Sequence, residues 1–214
     1  MPHTADATGP LTAALDHTRR LLQVDPRLAV DQAAEILKVM PGHPIARLLL
    51  GAAQRSTGDL AGALATLERL ASEQPNAGAA HYELGVTLAD ARQSARALEA
   101  LRRAVALSPD MADAWRALGD QLIQCEDAPA ADVAYARQIQ ASTKDPRLLA
   151  AASALCGNRI PEAEEMLKRH LWQHPTDVAA IRMLAEVAGR LGLYKDAENL
   201  LARCLELAPS FNAA

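Results

Sequence analysis

Small and larger apolar residues recur along this chain at a nearly constant interval. An alanine occupies one registered position in six successive units: Ala29, Ala63, Ala97, Ala131, Ala163 and Ala197. Four residues later most units carry a larger apolar residue, namely Leu67, Leu101, Tyr135, Leu167 and Leu201. Residues four apart share one face of an α-helix, so each pair predicts a helix that packs against a neighbour along this stripe.

A second registered feature predicts where these helices end. Twelve residues after five of the alanines stands a proline: Pro41, Pro75, Pro109, Pro175 and Pro209. Successive prolines are 34, 34, 66 and 34 residues apart, and Thr143 takes the proline's place in the unit between. Proline lacks an amide hydrogen and clashes with the preceding turn, so each one closes the second helix of a unit. A period near 34 is typical of stacked helix–turn–helix repeats.

The first helix of each unit carries its own small residues near its middle. The registered pairs are Leu50-Gly51, Leu84-Gly85, Leu118-Gly119, Ala150-Ala151 and Leu184-Ala185. A glycine there costs roughly 1 kcal/mol of helix propensity relative to alanine, which is tolerated where a larger side chain would clash. We therefore predict a close crossing between the two helices of a unit.

These residues resemble a known repeat family. Trp115-x2-Leu118-Gly119-x2-Leu122, followed by Ala131-x3-Tyr135, is similar to the tetratricopeptide repeat pattern. The resemblance covers nearly the whole chain and implies an all-α fold, a right-handed superhelix or α-solenoid of about six repeats. The predicted repeats lie at about 10–43, 44–77, 78–111, 112–143, 144–177 and 178–211. Residues 1–9 are expected to form a disordered tail, and residues 212–214 to begin a truncated seventh repeat.

The fifth repeat is irregular. It is short by two residues at its entry, because the Pro109–Pro175 interval is 66 residues, two fewer than twice 34. We predict a local change of the superhelix between the fourth and fifth repeats.

Composition and charge exclude several classes of function. The 214 residues carry 22 basic and 26 acidic side chains, with a net charge of −4 and no Lys/Arg cluster, so nucleic acid is not an expected partner. No apolar run is long enough to span a bilayer, and the first residues do not form a signal peptide. Three unclustered cysteines (Cys125, Cys156 and Cys204) indicate a reducing compartment, and we expect a cytoplasmic protein.

Candidate chemistry is sparse. The sequence has no phosphate-binding loop, dinucleotide fingerprint, nucleophile elbow or paired C-x-x-C. His170 and His174 share a helix face, but His170 takes an inward repeat position occupied elsewhere by Ile36 and Ala104, so we interpret it as structural. We expect no catalytic, cofactor-binding or metal-binding residue and no enzymatic activity in this chain.

The resemblance implies a partner-binding groove lined by the first helix of each repeat. Family positions two, five, nine, twelve and thirteen face this groove. The candidate groove residues are Leu48, Arg55, Tyr82, Val86, Asp90, Arg116, Asp120, Gln124, Leu148, Arg182, Glu186 and Arg190. Their mixed polar and apolar character suits an extended or helical peptide. Two pairs spaced i, i+4, Arg116–Asp120 and Arg182–Glu186, could instead neutralise each other.

The predicted function is a non-catalytic scaffold that binds a protein or peptide in this groove. The alternative is a structural module that mainly self-associates, for example as a homodimer through its exposed C-terminal end. The segments Ala180–Ala188 and Tyr194–Leu201 resemble the repeats that precede the sulfotransferase domain in bacterial repeat–sulfotransferase fusions. That resemblance implies a recruiting arm of a larger enzyme, with the chain as a fragment whose catalytic part lies outside it.

Overall fold

The computed structural model describes residues 8–209, with side chains from Gly9 onward. Its regular elements in that range are α-helices: α1 (Thr8–Val24), α2 (Pro26–Val39), α3 (Pro44–Ser56), α4 (Leu60–Glu73), α5 (Gly78–Asp90), α6 (Ser94–Leu107), α7 (Ala112–Gln124), α8 (Ala128–Ser142), α9 (Leu149–Cys156), α10 (Ile160–Gln173), α11 (Val178–Arg190) and α12 (Tyr194–Leu207). None of these helices combines the length and apolar character needed to cross a bilayer.

The helices follow one another as six helix–turn–helix pairs, which confirms the predicted all-α solenoid class. The chain divides into two compact units, residues 1–109 with α1–α6 and residues 110–214 with α7–α12. The predicted disordered tail is wrong at its end, because Thr8 and Gly9 already belong to α1. Residues 1–7 of that tail, and the predicted start of a seventh repeat at 212–214, lie outside the described residues.

The predicted close crossing within a repeat is confirmed in the second, third and fourth pairs. A Cβ atom on Gly51 would lie 2.5 Å from Cγ of Leu67, and one on Gly85 would lie 2.6 Å from Cγ of Leu101. A Cβ atom on Gly119 would lie 2.6 Å from Cε1 of Tyr135. The large residue four places after the registered alanine therefore fills the space that glycine leaves, while the alanine itself is fully buried in all three pairs.

The turn between the two helices of a repeat has the same geometry five times. One residue in each turn has a positive φ: Gly58 (87°), Arg92 (59°), Glu126 (60°), Asn158 (54°) and Gly192 (73°). In the first of them the amide of Gly58 donates to the carbonyl of Arg55, and that of Asp59 donates to the carbonyl of Gln54. This is the Schellman motif, which satisfies carbonyls left free at a helix end. The other four turns make the equivalent two bonds.

The prolines also take part in the junctions between repeats. The guanidinium of Arg47, one turn into α3, donates to the carbonyl of Pro41 at 2.8 Å. His81 occupies the equivalent place in α5, and its Nε2 lies 3.1 Å from the carbonyl of Pro75. The carbonyl of the closing proline lies outside the helix, and a side chain of the first helix of the next repeat bonds to it.

The fifth pair departs from the others where the sequence predicted an irregularity. Its first helix, α9, has eight residues, whereas α3, α5, α7 and α11 have 13 each. The preceding residues 143–148 form turns and irregular backbone, and α8 extends to 15 residues before them. Leu148, Ala152 and Leu155 of this segment are at most 1% exposed, because they pack in the core with α10 and α11.

The close crossing predicts opposite effects of the same substitution at two helical glycines. Gly85→Ala should lower the free energy of unfolding by about 1 kcal/mol or more, because the clash with Leu101 outweighs the gain in helix propensity. Gly189→Ala is the matched control, because beyond the neighbouring residues and the backbone of its own helix no atom lies within 4 Å of its Cβ position. It should leave stability unchanged or raise it by up to about 1 kcal/mol. Urea denaturation of both variants measures the difference, and equal effects would contradict the crossing.

The repeated turn geometry yields a second prediction. Glu126→Gly should stabilise the protein by about 0.5–1 kcal/mol, because a left-handed backbone is strained for residues with a side chain. Gly58→Ala should destabilise it by a similar amount for the same reason. Thermal unfolding followed by circular dichroism measures both shifts. A Glu126→Gly variant that melts below the wild type would show that the turn gains more from the side chain than it loses in strain.

Candidate functional site

The second unit contains an open cleft of about 830 Å³ between the faces of α7, α8, α11 and α12. Apolar atoms of Ala185, Gly189 and Leu201 lie along part of its lining. The polar side chains in the lining are Arg116, Asp120, Asp132, Tyr135, Gln138, Arg182, Glu186, Arg190 and Tyr194. The cleft therefore combines charges of both signs with an apolar surface.

Arg190 connects α11 to two earlier helices. Its Nε donates to Glu186 at 2.8 Å, and its Nη1 to the carbonyl of Leu155 at 3.4 Å. Its Nη2 donates to the carbonyl of Asp132, on α8. The side chain is only 9% exposed, so its guanidinium makes these hydrogen bonds inside the protein. Arg190 thus holds one wall of the cleft in place.

Arg182 makes a second connection from α11 to α8, one helical turn from the start of α11. Its Nη1 lies 3.1 Å from Oε1 of Gln138, and its Nη2 lies 3.2 Å from Oγ of Ser142. Burial lowers the pKa of the Arg182 guanidinium below its usual value. Arg182 and Arg190 thus bond α11, in the sixth repeat, to α8, the second helix of the fourth repeat. The short helix α9 lies between these two helices in the sequence.

Tyr135 joins the two helices of the fourth repeat at the opposite wall. Its hydroxyl donates to Oδ1 of Asp120 at 2.9 Å. Burial, this hydrogen bond and the nearby carboxylates of Asp120, Glu186 and Asp132 all raise the pKa of Tyr135. The phenol therefore stays protonated as a donor, and three carboxylates face the same part of the cleft. Asp120 and Asp132 are exposed to solvent there, as is Arg116.

Comparison with known proteins identifies the repeat. The sequence profile described as "Tetratricopeptide repeat" matches three overlapping segments, residues 23–78, 56–110 and 82–146, which together span more than half of the chain. The chain belongs to the tetratricopeptide repeat family. No curated protein matches the sequence.

Solved tetratricopeptide repeat structures share the fold at low identity. TTC0263, a thermophilic protein of Thermus thermophilus, is 20% identical with a TM-score of 0.58, over 94% of this chain and 92% of that one. MamA is 21% identical with a TM-score of 0.56, over 90% and 93%. YrrB is 15% identical with a TM-score of 0.50, over 84% and 93%. At these identities the likeness establishes the fold alone.

Five of the predicted groove residues of this repeat array line the cleft: Arg116, Asp120, Arg182, Glu186 and Arg190. The acidic residues of the two predicted i, i+4 pairs, Asp120 and Glu186, bond to other partners in the structure. Among the described residues no ion pair joins Arg116 to Asp120, and Asp120 instead accepts the Tyr135 hydroxyl. Glu186 pairs with Arg190, four residues after it.

Two predicted groove residues of the second unit lie elsewhere. Leu148 is 1% exposed in the core, so the prediction that it contacts a partner is wrong. The short α9 starts one residue after Leu148, and the Leu148 side chain packs in the core with residues of α10 and α11. Gln124 is exposed in the last turn of α7, outside the cleft lining.

The remaining predicted residues belong to the first unit. Arg55 lies 3.4 Å from Oδ2 of Asp90 and 3.6 Å from Oε2 of Glu83, so two candidate residues neutralise each other. Burial raises the pKa of Glu83 above its usual value, although Arg55 opposes this. Leu48 is partly buried against the cluster around Leu67. Tyr82 and Val86 of α5 are half-buried.

The groove residues predicted from the sequence omit those of the second helices. Asp132, Tyr135 and Gln138 of α8 and Tyr194 of α12 line the cleft, although the family's groove positions were counted only on first helices. One signal was available, because Tyr135 replaces the leucine that Leu67 and Leu101 provide in the preceding repeats. The phenol of Tyr135 places a hydroxyl group beside the crossing of α7 and α8, where a leucine would place only apolar atoms.

Arg190 should contribute to stability because its bonds are buried. Arg190→Met should lower the free energy of unfolding by about 2 kcal/mol, since the variant leaves the carboxylate of Glu186 without its cationic partner and removes the bonds from α11 to the Leu155 and Asp132 carbonyls. Arg203→Met is the control, because the Arg203–Glu206 pair is more than half exposed on both sides and should add little. Urea denaturation measures both, and equal midpoints for the two variants would contradict the role of Arg190.

Proposed function

We propose that this protein is a scaffold that binds a peptide segment of a partner protein, and that the cleft between α7, α8, α11 and α12 receives this segment. The observation that carries the proposal is that some charged residues of the cleft bond within the protein, whereas others remain exposed at its opening. Arg190 is nearly fully buried and bonded within the protein. Arg116, Asp120 and Asp132 stand exposed at the opening, on helices that these internal bonds hold in place.

The size and lining of the cleft support a polypeptide ligand. Its volume of about 830 Å³ falls within the usual range of ligand sites and holds several residues of an extended chain. The apolar lining offers contact to alternate side chains, while Asp120, Asp132 and Arg116 offer hydrogen bonds and charge. YrrB is described as a tetratricopeptide repeat protein with an unusual peptide-binding site, so this fold can carry such a site.

Rigid side chains that are ordered before binding reduce the entropic cost of association. Tyr135 is held by Asp120, and Arg190 by Glu186 and two carbonyls, before any ligand arrives. Tyrosine and arginine are also the residues that most often dominate binding energy at interfaces. We infer that a partner gains most of its affinity at the Tyr135–Asp120 wall and its selectivity from Arg116 and Asp132.

Selection from a displayed peptide library, followed by fluorescence anisotropy with the selected peptides, tests this function. Arg116→Ala and Asp132→Ala each should weaken binding about tenfold, since each removes an exposed charge of the cleft. Both side chains are exposed, so both variants should fold with an unchanged melting temperature.

The matched control is the double variant Glu165→Ala/Arg169→Ala. It removes an ion pair of 2.7 Å on α10 whose side chains are more than 70% exposed and lie outside the cleft. It should bind the selected peptides like the wild type. Peptides whose binding depends on the α10 pair and not on Arg116 or Asp132, or a selection that enriches no peptide, would refute the proposed site.

Self-association is the second candidate function, favoured by the exposed apolar residues of the sixth repeat. Leu191, Leu193 and Tyr194 are 45%, 48% and 76% exposed, and Leu205 later in α12 is 48% exposed, which is unusual for large apolar side chains within one repeat. Sedimentation analysis of a Leu193→Ser/Leu205→Ser variant against the wild type distinguishes the two, because a scaffold that binds peptides as a monomer would show no change. The recruiting-arm role beside a sulfotransferase and the cytoplasmic location stay predictions from the sequence.

A further inference from the structure

The charged residues of the cleft follow one pattern on both of its first helices. Arg116 and Arg182 occupy the fifth position of their repeats, and Asp120 and Glu186 occupy the ninth. All four line the cleft. Residues four apart on a helix share one face and lie about 6 Å apart along its axis. Both α7 and α11 therefore present a basic residue to the cleft and an acidic residue one turn later.

Hydrogen bonds to α8 show that α7 and α11 run in the same direction. Arg182, early in α11, donates to Gln138 in the second half of α8. Arg190, in the last turn of α11, donates to the carbonyl of Asp132, near the start of α8. These bonds make α11 antiparallel to α8. The turn at residues 125–127 joins α7 to α8 as an antiparallel helical hairpin, so α7 and α11 are parallel.

The two arginines of this pattern lie at the same end of the cleft. Asp120 accepts from Tyr135 of α8, so Arg116, one turn earlier in α7, lies level with the residues that follow Tyr135. Gln138, three residues after Tyr135, is the residue that binds Arg182. The first halves of α7 and α11 thus form a basic end of the cleft, where Arg116 is exposed.

The opposite end of the cleft is acidic. Asp120 and Glu186 lie one turn further along α7 and α11 than the arginines. Asp132 lies further still in that direction, because it comes three residues before Tyr135 in the antiparallel α8. Arg190 pairs with Glu186 at this end, whereas Asp120 and Asp132 are exposed. Burial, the hydrogen bond to Asp120 and the charges of the three carboxylates raise the pKa of Tyr135, so these carboxylates act on one part of the cleft.

We propose that the cleft selects an extended peptide segment that carries one acidic and one basic side chain two residues apart, with the acidic side chain at Arg116 and the basic one at Asp120 and Asp132. This selectivity rests on the proposed function, because it applies only if the cleft binds a peptide. The exposed cation and the exposed carboxylates lie about 6–10 Å apart along the helix axes. In an extended chain, side chains i and i+2 point to the same side and lie about 6.6 Å apart. Both charges of such a segment therefore meet opposite charges at once.

Other spacings and a helical segment match the cleft less well. Adjacent side chains of an extended chain point to opposite faces, and a spacing of four residues separates the charges by about 13 Å. A helix brings residues four apart to one face, but two turns of a helix 10–12 Å wide fill roughly 1000 Å³. The cleft has a volume of about 830 Å³. An extended segment spans the same charges with three residues and leaves room for apolar neighbours.

The surface between the two ends suits the stem of a long charged side chain. Ala185 and Gly189 of α11 line the cleft there. Beyond the neighbouring residues and the backbone of its own helix, no atom lies within 4 Å of a Cβ position on Gly189. The methylene groups of a lysine or arginine of the peptide can pack on this surface while the charge reaches the carboxylates. A segment with two like charges would instead bring one of them against a like charge of the cleft.

The peptides enriched from the displayed library give the first readout. Pairs of one acidic and one basic residue at spacing two should occur at least threefold more often than in the unselected library. The same pairs at adjacent positions or at spacing four should not be enriched. Enriched peptides without the spacing-two pair would overturn this selectivity, although the proposed function would stand. A selection that enriches no peptide would refute the proposed function and the selectivity together.

Double-mutant cycles with the tightest enriched peptide then assign each peptide charge to its residue. Replacing the acidic residue of the peptide by its amide should weaken binding to the wild type at least fivefold by fluorescence anisotropy. The same replacement should weaken binding to Arg116→Gln less than twofold, because the partner of the carboxylate is already gone. It should still cost about fivefold in Asp132→Asn. The basic residue of the peptide, replaced by methionine, should show the reverse dependence on the two variants.

Glu165→Gln on α10 is the matched control, because it neutralises an exposed carboxylate that lies outside the cleft. Both peptide changes should cost as much in this variant as in the wild type. Arg116 and Asp132 are exposed, so their variants should keep the melting temperature of the wild type by circular dichroism. Losses of equal size in the wild type, Arg116→Gln and Asp132→Asn would overturn the assignment of the two charges.

Discussion

The rest of the fold depends on the close crossing of two helices at a residue without a side chain. Gly51, Gly85 and Gly119 each leave a space that the residue sixteen positions later fills, at distances where no Cβ atom could remain. Protein interiors are packed at nearly crystalline density, so this fit sets the distance between the two helices of a repeat. The Schellman turns set the angle at which the chain returns. A sequence with only 3% aromatic residues can fill its core because the helices lie so close together.

The same constraint explains why the second unit differs from the first. Alanine replaces glycine at positions 151 and 185, and Tyr135 replaces leucine in the fourth repeat. The short α9 leaves α11 near the second helix of the fourth repeat, and long side chains bridge the interval. Arg182 and Arg190 donate to a glutamine, a serine hydroxyl and backbone carbonyls of the preceding elements. Beside these bonds lies the open cleft, lined by both charged and apolar residues.

The buried polar groups and the surface ion pairs have different consequences. Pairs such as Arg169–Glu165 and Arg203–Glu206 are more than half exposed, so solvent screening leaves them little influence on structure. Arg190, His170 and Asp177 are largely buried, and each would be costly without its partner. These buried contacts join α11 to α8 and to α10. The bonds of Arg190 hold α11 against α8 and α9 beside the cleft.

The sequence alone determined the class of fold, because its evidence is local and repeated. Registered alanines, glycines and prolines fix helix faces and helix ends through backbone sterics, which operate within one or two turns. Only the tertiary structure decided which groove residues are accessible. Leu148 looked like a groove residue by counting but is buried, because the shortening of α9 changes what lies over it. Likewise Asp132 and Tyr135 line the cleft through contacts between helices that no local pattern specifies.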